Sequence, residues 1–248
     1  MHHFFVEPGQ IKGKQITITG KDVNHIAHVL RMKPGEELSV SNGVDGKEYR
    51  CQIACVTEGE VQCKLRFIKE DGLELPARIS LFQGLPKGDK MELIIQKAVE
   101  LGVFEIVPMS TKRTVVRLEG RREAAKISSW QSIAEAAAAQ SRRRIIPQVH
   151  PVLSLKEAVA HAQHMDCGLI PYELAEGMGR TRELLSGLRP GQRVAVMIGP
   201  EGGFEEEEIE LAAAAGIRPI TMGRRILRTE TAGFTMLAWI MYQLEAEA

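Results

Sequence analysis

Gly199-Pro200-Glu201-Gly202-Gly203 follows the apolar run Val194–Ile198 and precedes Phe204, the glutamates Glu205 to Glu208 and an alanine-rich segment. That order predicts a buried strand, a glycine loop and a helix. Glycine has no side chain to block an approach, so such a loop can bring backbone against a ligand. A helix start that cradles phosphate uses its free N–H groups and positive dipole end. Four carboxylates in that first turn would repel a phosphate and tolerate a cation. Each acid there also stabilises the helix by about 0.3–1 kcal/mol, and helix stabilisation is the main role expected of Glu205 to Glu208.

Ligands of open parallel sheets sit beyond the carboxyl ends of the strands. Two further stretches occupy such positions. Pro171-Tyr172-Glu173 follows the apolar run Cys167–Ile170, and the stretch from Met222 to Thr231 follows Ile217–Thr221. Three loops at strand ends predict one composite pocket.

The elements that would carry these loops divide the chain in two. Up to about residue 68 the pattern is mostly strand: Gln15–Thr19, Glu37–Ser41, Tyr49–Val56 and Val61–Ile68, with turns at Asn42-Gly43 and Asp45-Gly46. One helix is expected from Asp22 through Leu30, stopped by Pro34-Gly35. The polar turn Lys69-Glu70-Asp71-Gly72 places a domain boundary, giving domains 1–72 and 73–248. After it, Ile79–Leu81, Phe104–Pro108 and the three runs above alternate with helical stretches. Asp89 can cap one helix, Ser154-Leu155-Lys156-Glu157 has the capping-box pattern, and Thr229 or Thr231 can cap the last. Strand–helix alternation implies an α/β domain, a parallel sheet with helices on both faces.

Composition narrows the class. The chain has 248 residues, 44% of them hydrophobic, and a formal net charge of zero. No apolar run approaches the roughly 20 residues of a membrane helix, and Met1 to Phe5 lacks the pattern of a signal peptide. A cytoplasmic location is the expectation, without membrane partners. Cys51, Cys55, Cys63 and Cys167 lack a fourth ligand at metal spacing. They are expected to be buried free thiols, Cys51 and Cys55 on one strand face, and no metal is expected. Trp130, in helical register with Ile127 and Ile133, is expected in the core. From Thr111 to His150 nine Lys or Arg stand against three Glu, which suggests an anionic partner on one face; a solvated helix face explains the count equally well.

Gly-Pro-Glu-Gly-Gly-Phe at 199–204 and Gly-Arg-Arg-Ile-Leu-Arg-Thr-Glu-Thr-Ala at 223–232 resemble the ribosomal RNA uracil-N3 methyltransferases of the SPOUT superfamily. The likeness extends along the chain, through His28-Val29-Leu30-Arg31 with Gly35, the segment Gly84–Leu101, Thr111-Lys112-Arg113 and Gln140-Ser141-Arg142-Arg143. The sequence departs from the family's pattern at Ala139, Glu205 and Met222. The resemblance implies a PUA-like RNA-binding β-barrel followed by a SPOUT-type domain with a deep trefoil knot. It implies S-adenosylmethionine held by Pro171, Tyr172, Glu173, Gly199, Pro200, Glu201, Gly202, Gly203, Met222, Gly223, Ile226, Leu227, Arg228 and Thr231. It also implies a homodimer acting on 16S ribosomal RNA in the small subunit.

Methylating N3 of uridine requires loss of an imide proton and in-line placement of the nitrogen. Glu201 and Glu230 are the candidate bases. Arg228 is the candidate for stabilising charge on the uracil oxygens. Arg31, Lys87, Arg113, Arg117, Arg121, Arg122, Arg142 and Arg143 are the expected RNA contacts. A non-catalytic RNA-binding assembly factor on the same scaffold is the alternative; it predicts no binding of the methyl donor.

Overall fold

The computed structural model describes residues 1–70, 73–175 and 177–245. Asp71 and Gly72, at the expected boundary, lie outside the described residues. The chain packs as two units, Met1–Glu74 with Ala138–Ile146, and Leu75–Ala137 with Pro147–Ala248.

The first unit is built on one mixed six-stranded sheet. Its strands are β1 (His3–Phe5), β2 (Ile11–Lys12), β3 (Gln15–Thr19), β4 (Glu37–Ser41), β5 (Glu48–Val56) and β6 (Glu60–Lys69), in the order β1-β4-β5-β6-β3-β2. Alternating residues such as Ile16, Ile18, Leu38, Val40, Cys51, Ile53, Val61 and Cys63 fill its core, as the period-2 pattern requires. The expected helix after Asp22 is instead a short turn, α1 (Lys21–Asn24), running into a π-helix at His25–Val29. Arg31 follows in the left-handed region at φ 54°. Cys51 and Cys63 are buried but Cys55 is exposed. The β5–β6 register shifts between Ile53 and Cys55, so a bulge breaks the alternation that would have put Cys55 on the face of Cys51.

The segment 138–146 belongs to this unit because of carboxylates far away in sequence. Glu74 accepts hydrogen bonds from the Arg144 and Ile145 amides at 2.9 and 3.1 Å and from Arg143 Nε at 3.0 Å. The Arg144 guanidinium is 2.9 Å from Glu48 Oε2, and its side chain is only 2% exposed.

The second unit carries a parallel sheet. Its strands are β7 (Arg78–Gly84), β8 (Glu105–Ser110), β9 (Gln148–Val149), β10 (Leu153–Ser154), β11 (Cys167–Pro171), β12 (Arg193–Ile198) and β13 (Ile217–Ile220). The order is β10-β8-β7-β12-β11-β13, with β9 beside β8. Its helices are α2 (Lys90–Glu100), α3 (Gly120–Gln140), α4 (Leu155–Ala162), α5 (Met178–Ser186), α6 (Glu206–Ala214) and α7 (Thr229–Glu245). One face of the sheet, through Phe82, Ala195 and Met197, packs on Leu155, Ala158 and Val159 of α4 and Ile209 and Ala212 of α6. On α7, Met236, Leu237 and Ile240 are buried; this helix packs on α2 and on β12. Trp130 is buried.

The helix starts follow local chemistry in part. Ser154 Oγ accepts from the Glu157 amide and the Ser154 amide donates to Glu157, the reciprocal box the spacing predicts. Asp89 sits at the N-cap of α2 but makes no side-chain cap bond. Pairing is in register across the carboxyl edge: Ile198 lies opposite Gln83, and Pro171 opposite Ile220. The loops after β11, β12 and β13 therefore leave the same edge of the sheet.

Candidate active site

Those three loops enclose one cavity of about 470 Å³, within the roughly 300–1,000 Å³ of small-molecule sites. Pro171, Tyr172 and Glu173 line it from the first loop, Gly199 to Gly203 from the second, and Met222, Gly223, Ile226, Leu227 and Arg228 from the third. Thr231, the remaining expected contact, is exposed one turn into α7 and does not line the cavity; Ala232 does. Helical geometry turns position 231 away when 228 and 232 face inward. Ile198, Phe204 and Leu227 supply apolar surface beside the backbone of the loops.

The walls are held by specific contacts. Thr229 is the buried first residue of α7, and its hydroxyl is engaged on both sides. Its hydroxyl donates to the Gly199 carbonyl at 2.6 Å and accepts from the buried Gln83 amide at 2.9 Å, so it ties the start of α7 to the glycine loop. Thr181 of α5 donates to the Thr221 carbonyl at 3.0 Å and anchors the third loop. Gly203 is left-handed at φ 69°, a conformation open to glycine. A Cβ on Gly84 would lie 2.6 Å from both Cδ and the backbone nitrogen of Pro200. The loop can therefore close only over a glycine. Gly84→Ala is expected to cost about 1–3 kcal/mol of overpacking, read as a lower urea midpoint. A wild-type midpoint in that variant would show that the loop absorbs the methyl group.

The four glutamates do not line the cavity. The Glu205 amide donates to Glu208 Oε2 at 2.9 Å, so helix capping accounts for that pair. Glu208, 4% exposed, accepts from the Lys112 amide, and the Lys112 ammonium pairs with Glu207. Arg113 bonds Glu205 through Nε at 2.8 Å and the Gly202 carbonyl through a terminal nitrogen at 2.7 Å. The Arg113 hydrogen bond holds Glu205 below the usual carboxylate range. Arg113, expected on RNA, is thus a clamp between the loop after β8 and the glycine loop. With Glu205, Glu207 and Glu208 engaged by Arg113 and Lys112 and none of the four lining the cavity, the glutamates do not decide against phosphate as the sequence pattern suggested.

Arg143 is likewise removed from the expected RNA set. It is 4% exposed and paired with Glu74. Arg31, Lys87, Arg117, Arg121, Arg122 and Arg142 are exposed.

The titratable candidates differ in their surroundings. Glu201 accepts from the Lys87 amide at 3.1 and 3.3 Å and from Lys90 Nζ at 2.9 Å. Partial burial acts to raise its carboxyl, but these hydrogen bonds outweigh burial and hold it below the usual range. A carboxylate so occupied is a weak base. Glu230, in the first turn of α7, has a side chain 15% exposed and lies 3.6 Å from the same Lys90 ammonium. Arg228 is exposed at the cavity wall. Lys90 was missing from the sequence-derived set although it lines the cavity. The signal was available: a cation at the first position of a helix is disfavoured by the dipole, so it needs an acidic partner from elsewhere.

No helix among the described residues is long and apolar enough to cross a membrane, and no group of three His, Cys, Asp or Glu among them is arranged to hold a metal ion.

Comparison with known proteins gives concordant matches. A family model described as an RNA methyltransferase domain matches residues 73–241, and an RNA methyltransferase PUA domain matches residues 18–66. A curated relative from Bacillus subtilis, ribosomal RNA small subunit methyltransferase E, is 35% identical over 99% of this chain and 98% of its own length. The crystal structure of a ribosomal RNA small subunit methyltransferase E from Neisseria gonorrhoeae bound to S-adenosyl methionine aligns with a TM-score of 0.80 and 31% identity, covering 96% of this chain and 95% of that one. A putative methyltransferase from Legionella pneumophila with bound cofactor SAM aligns at 0.80 and 33%, covering 97% and 96%.

Proposed function

The chain belongs to the ribosomal RNA small subunit methyltransferase E family, and from that premise we propose that it methylates N3 of one uridine in 16S ribosomal RNA, on the assembled small subunit. S-adenosylmethionine is its methyl donor. The observation that carries the reading is the single cavity walled by the backbone of the three loops.

The cavity suits this donor. Apolar side chains offer a slot for the adenine ring, loop amides and carbonyls offer hydrogen bonds, and the carboxylates of Glu173 and Glu201 at its wall complement a cation. When bound, the donor supplies an activated methyl group, which leaves the protein chiefly to position the acceptor and manage its proton. Glu230 is the better-supported base, because Glu201 is already saturated with donors. Arg228 is placed in the proposal as the group that meets charge developing on the uracil oxygens. Arg31, Lys87, Arg117, Arg121, Arg122 and Arg142 are proposed to track RNA phosphates.

The proposal extends to a cytoplasmic homodimer with a trefoil knot. For the knot, the support is the return of α7 to the glycine loop, fixed by Thr229. For the dimer, it is the face of α7 bearing Phe234, Trp239, Met241 and Tyr242, all half-buried or exposed, with Tyr242 at 75%. A helix apolar on all sides needs a second surface to cover it.

Methyl transfer from labelled donor to small subunits, large subunits, free ribosomal RNA and tRNA, followed by primer extension, tests the reading. Label on small subunits and a reverse-transcriptase stop one nucleotide before a single uridine are expected, since an N3 methyl blocks the Watson–Crick edge. Label without any stop would overturn the N3 assignment. Absence of donor binding in calorimetry would leave only a non-catalytic assembly factor.

A further inference from the structure

Lys90 stands between the two carboxylates at the cavity. Its Nζ lies 2.9 Å from Glu201 Oε1 and 3.6 Å from Glu230 Oε2. The two acids are not equivalent. Glu201 is occupied by the ammonium and by the Lys87 amide. Glu230 Oε2 is buried and accepts no hydrogen bond among the described residues. It has charge compensation at ion-pair range without a donor. A buried acceptor left in this state is costly unless something else uses it.

Resting on the uridine-N3 reading, we propose that Lys90 is a positioning residue of the methyl-transfer centre: it anchors Glu201 of the glycine loop and holds the Glu230 carboxylate at ion-pair range with its accepting capacity free for the imide proton of uracil. In the step this serves, the N3 proton passes to the Glu230 carboxylate. The N3 electron pair forms the bond to the methyl carbon, and the sulfur–carbon pair stays on sulfur, which leaves as a neutral thioether.

The charged groups that the structure places against Lys90 are Glu201 of the glycine loop and Glu230 of α7. Glu92, on the same helix as Lys90, pairs with Lys126. Without the Lys90 ammonium, Glu201 and Glu230 lose their shared counter-charge in partly buried surroundings. Glu201 then protonates at higher pH, since the Lys90 hydrogen bond no longer opposes its partial burial, and Glu230 loses the cation that fixes its place.

The test follows the side-chain carboxyl carbon of Glu201 by NMR titration of the free protein, alongside kcat and donor affinity. In Lys90→Met the Glu201 midpoint is expected to move up, because the ammonium hydrogen bond that opposes burial is gone. The misplaced Glu230 carboxylate should lower kcat at neutral pH about 10²-fold. Lys90→Arg should restore most of both. Lys90→Gln gives the same readings if Lys90→Met does not fold. An unmoved Glu201 midpoint, or a defect confined to donor affinity with kcat unchanged, would overturn the role of Lys90. Loss of the primer-extension stop in the wild-type protein would instead strike the N3 reading, so the two failures are distinct.

Discussion

Methyl transfer by Arg228→Ala is expected to fall about 10²–10³-fold in kcat at saturating donor, with donor affinity little changed. Arg228 immediately precedes α7, where the dipole end is positive and a cation gains nothing. Its side chain is exposed at the cavity wall and makes no hydrogen bond or ion pair among the described residues. A guanidinium held there without a protein partner is available to negative charge that develops as the imide proton leaves. An interaction made only in the transition state lowers kcat and kcat/KM equally when removed. Single-turnover rates with RNA substrate, measured beside calorimetry with the donor, check the split. Near wild-type rates with normal donor binding would remove Arg228 from the chemistry.

The second large effect falls on stability. Arg144→Met is expected to cost about 1–3 kcal/mol, because it leaves one oxygen of the buried Glu48 carboxylate without its donor. Glu48 is 8% exposed, and Arg50, whose Nε lies 2.6 Å away, is the cation left beside it. The loss should appear as a lower urea midpoint. Adding Glu48→Gln should return part of it, since a neutral amide costs less to bury with an unmet oxygen than a carboxylate does. A change under about 1 kcal/mol would place this pair with the weak surface pairs. Arg144 also donates to the Lys69 carbonyl, so the variant should loosen the segment 138–146 from the first unit.

Much of the site was legible in the chain because its information is local. A glycine loop after a buried strand, repeated as three loops at strand ends, needs only the period-2 burial pattern and the rule that ligands lie beyond carboxyl ends of parallel strands. The capping at Ser154 and at Glu205 depends on residues three positions apart, and was readable for the same reason.

What failed was long-range. Arg113 and Arg143 counted toward a basic face, yet their carboxylates stand 92 and 69 residues away. A charge count cannot register a partner that only folding brings near. Cys55 failed through a bulge that alternation does not encode. Thr231 failed because the motif names a helix start without saying which side turns inward.

The sequence by itself determined the succession of strands and helices, the three loops and the family that they mark. Tertiary structure alone decided which charges remain available for a substrate. It closed Arg113 onto Glu205 and Arg143 onto Glu74, left Arg228 open, and set Lys90 between Glu201 and Glu230. The physical reason is that the alternation of buried and exposed positions in strands and helices is set by local periodicity, whereas the state of an ionisable group is set by whichever charges lie within a few ångströms, regardless of their separation along the chain.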